Sequence, residues 1–564
     1  MSSYPTTMPP TRPEVSSPGP RSRSARWIEL STSGDHKIIG MLLISAAFGS
    51  IFLAALELLL TRAQLAVPDN VFLNAVTFDR LLSVYGTTSI FLIALPLILG
   101  LLYYVVPLQI GARGTALPRL GQIGVWLFIL GGLLLYGSFL FTPPEAGINP
   151  LPPFSELAFT PNNGVDVWIG ATGMVTLGLL LVAIDLLTTV HNLRAPGMSW
   201  RRAPYFTWAA GIISWLFVVV APILLAAITM LMLDRRYGGG FFEGSEGGSP
   251  ILWQHFSYIF FTAVYMIVAV GFLAAIAEIV QTFTGREIQG RKAVVGSLVA
   301  IAVIGTLAWT QNLVTAPIPS GWKYYGMIMS IALIVPFGLI FYNLISTVSA
   351  SDFHMRAPLR FALGALSLAS IGLAVEVVHS TVAVGTQLSQ TYDAWAATHF
   401  ALLGFVLFGG FAAVSYWYPK ITGTELNEDR ARISFQVMFL GAVVALLPLF
   451  AAGVEGQVTD AYRFSGDQGV STWNLIASIG TLILFLGVVL AVGNLIKSRE
   501  EEPAATPDPW RGDSLEWLAL SPPPAHNFDV LPDVRSSRPM RDIREAVTRR
   551  DSEATAASES QPVA

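Results

Sequence analysis

Long apolar runs, separated by short polar segments, fill the chain from about residue 38 to residue 496. A helix needs about 20 mostly apolar residues to cross a bilayer, and its backbone must satisfy its own hydrogen bonds there. The runs lack the alternation typical of barrel strands, so they predict an all-α membrane protein with twelve transmembrane helices. The predicted windows are 38–60, 86–107, 120–142, 166–190, 206–232, 253–281, 293–314, 324–346, 359–383, 395–418, 433–454 and 472–496.

The polar ends of the chain divide it into three regions. Residues 1–32 are rich in Pro, Ser and Arg, and we expect a disordered tail; with no apolar core before residue 38, a cleavable signal peptide is not expected. Residues 33–497 form the predicted membrane domain. Residues 498–564 are polar with acidic clusters, which predicts a mostly extended tail.

The distribution of basic residues predicts the orientation of the helices. With a cytoplasmic N-terminus, the five inner loops carry 13 Lys and Arg residues and the six outer loops carry 6. Basic residues concentrate in cytoplasmic loops. We therefore expect a multi-pass protein of the bacterial inner membrane with both termini in the cytoplasm.

The amino-acid composition excludes several classes of protein and several kinds of cofactor site. Hydrophobic residues make up 53% of the chain and charged residues 12%, which excludes a disordered chain or an ordinary soluble enzyme. The net charge of −4 gives no reason to expect a nucleic-acid partner. Without cysteine, the chain cannot form disulfides, iron–sulfur clusters or covalently attached haem. The seven histidines are the remaining candidates for soft metal ligands.

Several motifs, in order along the chain, resemble subunit I of the haem–copper oxidases, the cytochrome c oxidase type. They include Ser33-Gly-Asp-His-Lys-Ile-Ile-Gly40, Pro107-Leu-Gln-Ile-Gly-Ala-Arg113, Asn192-Leu-Arg-Ala-Pro-Gly-Met198, Pro250-Ile-Leu-Trp-Gln-His255, Tyr416-Trp-Tyr-Pro-Lys-Ile-Thr-Gly423 and Leu515-Glu-Trp517. The resemblance covers residues 33 to about 530. It implies the family's twelve-helix bundle, partner subunits resembling subunits II and III, and a cytochrome c-type electron donor.

The family's chemistry depends on six histidines, and the resemblance allows each position to be compared. Two histidines hold a low-spin haem, one holds a high-spin haem and three hold copper. At these positions the chain carries Tyr85 in helix two, Thr262 or Phe261 in helix six, Gln311 and Asn312 in helix seven, and Ala397 and His399 in helix ten. Only His399 remains as a histidine at one of these six positions. The replacements do not take over the metal-binding role, because amide oxygens are poor copper ligands and alanine cannot bind iron.

The supporting groups of the family site are also changed. Gly456-Gln457 replaces the paired arginines that hold haem propionates, and Ile340 replaces the lysine of one proton path. Arg62 is retained at a position that contacts the low-spin haem in the family. The resemblance therefore gives His399, Arg62 and Tyr85 as candidate cofactor-binding residues. It assigns no catalytic residue, leaves room for one haem and predicts that copper does not bind.

Polar residues inside the helices leave alternatives open. His399 is either an axial haem ligand or, in the interpretation we favour, a neutral imidazole hydrogen-bonded to a neighbouring helix. Tyr85 is either a phenolate ligand or an ordinary buried tyrosine. Glu376 and His379 lie one turn apart on helix nine and form either a proton or ion site or a neutral hydrogen-bonded pair.

Three functions are compatible with the sequence. We favour a subunit I-like component of a respiratory electron-transport complex that cannot reduce O2 and acts in structure, assembly or single-haem electron transfer. The first alternative is a working terminal oxidase subunit that passes electrons from cytochrome c to O2 and pumps protons. The second is a twelve-helix transporter.

Overall fold

The protein is a bundle of long apolar helices in a computed structural model that describes residues 32–501, 504, 506–531 and 533–559. Within these residues, twelve helices are long and apolar enough to cross a membrane, which confirms the predicted all-α fold. They are α1 His36–Gln64, α2 Ala75–Gln109, α3 Pro118–Leu140, α4 Gly164–Asn192, α5 Tyr205–Tyr237, α6 Pro250–Thr284, α7 Arg291–Leu313, α8 Ser320–Ser349, α9 Ala357–His379, α10 Tyr392–Thr422, α11 Glu428–Val454 and α12 Ser471–Glu500.

Helices α2, α6 and α10 form the centre of the bundle. Their most apolar windows are 94%, 83% and 72% buried, whereas the window of α8 is 28% buried. Glycines bring neighbouring helices together, as small residues do in membrane proteins. A Cβ atom at Gly372 in α9 would lie 2.5 Å from the carbonyl oxygen of Ala397 in α10. The backbones of α9 and α10 therefore contact each other directly.

Two central helices each contain a wide π-helical turn. In α2 it spans Thr88–Ala94, and in α10 it spans Leu403–Phe408. Each turn begins a few residues after a candidate residue, Tyr85 in α2 and His399 in α10. Such turns occur frequently at functional sites. The space between α2 and α10 is therefore a candidate functional site.

Some helix boundaries differ from the sequence prediction. Helix α2 begins at Ala75 rather than near residue 86, because the Asn74 side chain caps it by accepting a hydrogen bond from the Thr77 backbone N–H at 2.8 Å. Helix α7 ends in a tighter 3₁₀ turn, Trp309–Leu313, which carries Gln311 and Asn312. The local turn, rather than a regular helix, therefore sets the direction of these two amides.

The first transmembrane helix and the C-terminal tail meet on one face of the bundle, here called the termini face. The Asn527 amide nitrogen lies 2.9 Å from His36 Nε2, and it also donates to the Ala112 carbonyl oxygen at 2.8 Å. Lys420 donates to the carbonyl oxygen of Ala519 at 2.6 Å, and the Trp517 ring is fully buried. The tail therefore packs across the ends of the helices instead of extending away from them.

The tail also contains a helix that the sequence analysis did not predict. Helix α13 spans Pro539–Glu559, and Met540 and Ile543 at its start are buried. The sequence of this helix is polar and gives no clear hydrophobic pattern, because only a few apolar side chains hold the helix on the bundle. The predicted N-terminal tail, residues 1–32, lies outside the described residues apart from Thr32.

A buried carboxylate, Glu516, links the tail to the termini face. Its Oε1 accepts hydrogen bonds from Ser514 Oγ at 2.9 Å and from Gln109 Nε2 at 3.1 Å, while its Oε2 has no partner among the described residues. Burial raises the pKa of Glu516 above its ordinary value of 4.5. The folded protein therefore retains a proton on this group at a pH where the unfolded chain has released it.

Neutralising Glu516 should change the pH dependence of stability. A raised folded-state pKa means that stability falls as pH rises above the ordinary value of 4.5. We expect Glu516→Gln to remove this loss, so that the melting temperature of the variant increases relative to wild type from mildly acidic to mildly alkaline pH. Thermal unfolding in detergent measures this, with the exposed Glu500→Gln as control. The prediction is wrong if the melting temperatures of wild type and Glu516→Gln change with pH in the same way.

Candidate functional site

The structure brings together the two candidate residues of α2 and α10. The Tyr85 hydroxyl lies 3.1 Å from His399 Nε2, and His399 Nδ1 lies 2.8 Å from the Trp395 carbonyl oxygen. Because a carbonyl can only accept, Nδ1 carries the proton and Nε2 accepts from the tyrosine. Both nitrogens of a neutral imidazole are therefore satisfied.

A cavity of about 620 Å³ adjoins this pair and is here called the histidine cavity. Tyr85, His399 and Arg62 all line it, so the structure gathers the three candidate cofactor-binding residues at one place. The Trp395 ring stacks on the His399 ring at a centroid distance of 3.4 Å. The volume falls within the range of ordinary ligand pockets, about 300–1,000 Å³.

Arg62 is buried at the end of α1, on the side of the bundle opposite the termini face. Its Nη2 donates to the Asn474 backbone oxygen at 3.1 Å and to its side-chain oxygen at 2.9 Å. Nε and Nη1 have no hydrogen-bond partner of ordinary geometry among the described residues. Asn474 in turn donates to Gln457 at 2.7 Å. Neutral amides thus hold one side of the guanidinium, and the Tyr392 ring lies 5.6 Å from its central carbon.

A second cavity, of about 280 Å³, lies between α6, α7, α8, α9 and α10 and is here called the amide cavity. Gln311, Asn312 and Thr262 line it, which brings together three positions that the family resemblance compares with copper ligands. Asn312 Nδ2 donates to Thr262 Oγ1 at 3.0 Å, and Gln311 Nε2 donates to the His379 carbonyl oxygen at 3.0 Å. Hydrogen bonds therefore orient both amides.

Glu376 and His379 do not form the hydrogen-bonded pair that their spacing on α9 suggested. Thr398 Oγ1 donates to Glu376 Oε1 at 2.9 Å, whereas His379 Nε2 lies 2.6 Å from Asp393 Oδ2. The pairing fails because α10 presents a better partner to each side chain than the other residue of α9 does. Glu376 lines the amide cavity, and the His379–Asp393 pair lies beside it.

The residues present do not fit a haem–copper centre in the amide cavity. Its lining contains no imidazole, and Ala397 is fully buried and lines neither cavity. Among the described residues, no group of three or more His, Cys, Asp or Glu side chains could hold a metal ion. Amide and hydroxyl oxygens suit hard cations, whereas copper favours imidazole and sulfur ligands.

Among the described residues that line the histidine cavity, His399 is the only histidine, and both nitrogens of its ring are already hydrogen-bonded. The Tyr85 hydroxyl and His399 Nε2 are hydrogen-bonded to each other at 3.1 Å, so neither group is free to bind a metal as arranged. A haem in this cavity would depend on His399 alone, after the tyrosine hydroxyl had moved aside, with Arg62 as the available cation.

The bundle and its two cavities define a multi-pass membrane protein with the fold of haem–copper oxidase subunit I. A family profile described as "Cytochrome C and Quinol oxidase polypeptide I" matches residues 38–483. The chain belongs to this family, which confirms the resemblance seen in its motifs.

Curated relatives agree with the family assignment. The chain is 34% identical to "Cytochrome c oxidase subunit 1" of Corynebacterium efficiens, with 94% of this chain and 91% of that protein covered. It is 32% identical to "Cytochrome c oxidase subunit 1" of Bacillus subtilis, with 92% and 84% covered. "Quinol oxidase subunit 1" of the same organism is 30% identical, with 93% and 81% covered.

A solved structure shares the fold. It is titled "Cryo-EM structure of a heme-copper terminal oxidase dimer provides insights into its catalytic mechanism". The match covers 96% of this chain and 100% of that chain, with a TM-score of 0.66. At 14% sequence identity, this likeness concerns the helical arrangement alone.

Sequence reasoning missed several residues of the two cavities. Thr398 donates to Glu376, Asp393 Oδ2 lies 2.6 Å from His379 Nε2, and Asn474 accepts from Arg62. Thr398 directly precedes His399 in sequence, so its polar position next to the candidate histidine gave some signal. Asn474 gave none, because its contact with Arg62 joins residues more than 400 positions apart.

Removing the Tyr85 hydroxyl should destabilise the fold through His399. Tyr85→Phe leaves Nε2 as a buried acceptor without a donor, which costs about 1–3 kcal/mol. Thermal or denaturant unfolding of Tyr85→Phe, His399→Leu and the double variant measures the coupling between the side chains. We expect the double variant to lose less stability than the sum of the single variants. Additive losses would mean that the hydrogen bond contributes nothing.

Proposed function

We propose that the protein is a subunit I-like component of a respiratory electron-transport complex that has lost the iron–copper centre and does not reduce O2. The observation that carries the proposal is the amide cavity, where Gln311, Asn312 and, when helix six is compared without a gap, Thr262 occupy positions that bear copper ligands in the family. The Asn312–Thr262 hydrogen bond supports it, because these groups satisfy each other without a metal.

The role we propose is structural or in assembly, with partner subunits that resemble subunits II and III. The relatives are named as numbered oxidase subunits, which supports a multi-subunit setting. The basic loops favour the bacterial inner membrane with the termini face in the cytoplasm. A membrane complex can retain such a bundle for its shape and contacts after its redox chemistry is lost.

A second candidate, a working terminal oxidase subunit, is favoured by overall similarity to proteins named cytochrome c oxidase and quinol oxidase. Such activity would need ligands other than the six family histidines. The two candidates predict opposite metal contents, so they can be distinguished on the purified complex.

Metal content and O2 consumption test the proposal directly. We expect the isolated complex to contain less than a stoichiometric amount of copper and to consume no O2 with reduced cytochrome c or quinol as donor. Elemental analysis and an oxygen electrode measure this, with a related oxidase purified in the same way as positive control. One copper per chain together with O2 turnover would refute the loss of the centre.

A visible spectrum decides whether the histidine cavity holds a haem. If the purified protein shows haem bands with and without dithionite, His399→Ala should abolish them, because no other imidazole lines that cavity. Tyr85→Phe is the matched variant and should retain the bands, since it frees Nε2. Unchanged bands in His399→Ala would identify a different ligand, whereas a wild-type spectrum without haem bands would support a purely structural role.

A further inference from the structure

The amide cavity presents oxygen atoms, because the nitrogen ends of its amides are already used. Gln311 Nε2 donates to the His379 carbonyl oxygen and Asn312 Nδ2 donates to Thr262 Oγ1, both at 3.0 Å. These donors fix the orientation of each amide and leave its oxygen as a free acceptor. Gln311 Oε1 is buried and has no hydrogen-bond partner among the described residues.

Two hydroxyl donors beside this cavity are also engaged. Thr398 Oγ1 donates to Glu376 Oε1 at 2.9 Å, and Ser380 Oγ donates to the Val377 carbonyl oxygen at 2.6 Å. Both residues line the cavity together with Glu376. The polar part of the lining therefore offers carboxylate, amide and hydroxyl oxygens as acceptors, which favours a ligand that brings positive charge or N–H groups.

The Glu376 carboxyl group has no basic partner in the lining. No Lys or Arg is among the described residues that surround the cavity. The nearby His379 Nε2 lies 2.6 Å from Asp393 Oδ2, so this imidazole is held by a different carboxyl group. An isolated carboxylate inside a membrane protein is costly and is usually neutralised by a partner. The remaining lining, which includes Phe337 and Phe405, is largely apolar.

We propose that the amide cavity binds one monovalent cation, an alkali metal ion or a small ammonium compound, with Glu376 as its counter-charge. Carboxylate, amide and hydroxyl oxygens are the ligands that hard cations prefer, and one carboxylate balances one positive charge. The volume of about 280 Å³ accommodates a partly hydrated ion or a short alkylammonium group. The inference rests on the proposed loss of the iron–copper centre, since both would occupy this cavity.

Titration calorimetry on the full-length protein in detergent tests the site. NaCl, KCl and methylammonium chloride are titrated separately, with ionic strength held constant by N-methylglucamine chloride. We expect saturable binding of one ion for at least one of the three salts, and the salt that binds identifies the source of the cation. Glu376→Gln should lower the affinity about 10-fold or more, because it removes the counter-charge and keeps the shape.

Two further variants keep the test decisive. Glu57→Gln replaces a buried carboxyl group that lies in α1 and lines neither cavity. This variant should therefore bind the cation with the same affinity as wild type. Asn312→Leu removes a cavity oxygen without changing the charge and should weaken binding even if Glu376→Gln does not fold. Absence of saturable binding by wild type, or equal affinity in wild type and folded Glu376→Gln, would overturn the inference.

Copper analysis of the same preparation separates the two proposals. Stoichiometric copper would refute the proposed loss of the centre and the cation site with it. A copper-free protein that binds none of the three cations would refute the cation site alone and leave the proposed function standing.

Discussion

Polar groups inside this bundle depend on partners within the protein, because the surrounding bilayer supplies none. The same constraint explains both cavities. At positions that the resemblance compares with metal-ligand histidines, side chains hydrogen-bond one another: Tyr85 with His399, and Asn312 with Thr262. Beside them, Thr398 donates to Glu376. A ligand histidine left alone in such a place would be a buried, unpaired group. The proposed loss of the metal centre would therefore have required several coordinated replacements.

The helices could be predicted because the constraint that forms them is local. Length and apolarity alone were enough to predict all twelve transmembrane helices, and the motifs were enough to predict the family. Tyr85, His399 and Arg62 could be predicted as neighbours only through the resemblance, since helices that are distant in sequence bring them together. Partners such as Asn474 and Asp393 could not be predicted, because an isolated polar residue in an apolar run does not indicate which helix it faces.

Glu376 and His379 illustrate the limit of reasoning from helix periodicity. Their spacing correctly places them near each other on α9, but periodicity gives no information about what a neighbouring helix offers. Helix α10 supplies Thr398 to one and Asp393 to the other. The outcome changes the chemistry: the carboxylate that seemed paired with an imidazole instead faces a cavity, while the imidazole is held by a different acid. Tail helix α13 was missed for a related reason, since its contacts rather than its composition hold it in place.

The π-helical turns of α2 and α10 have a consequence for how this bundle tolerates change. A π turn accommodates one residue more than the regular helix would, and each residue of an α-helix advances the side-chain direction by about 100°. The wider turn absorbs this extra residue, so the two flanking α-helical halves keep the side-chain directions of an uninterrupted helix. Deletion of one residue within Thr88–Ala94 or Leu403–Phe408 would convert the turn to regular winding and leave Tyr85 facing His399, whereas a deletion elsewhere in α2 or α10 would rotate one half of the helix against the other. These two turns are therefore the places in α2 and α10 where the loss of one residue disturbs the packing least.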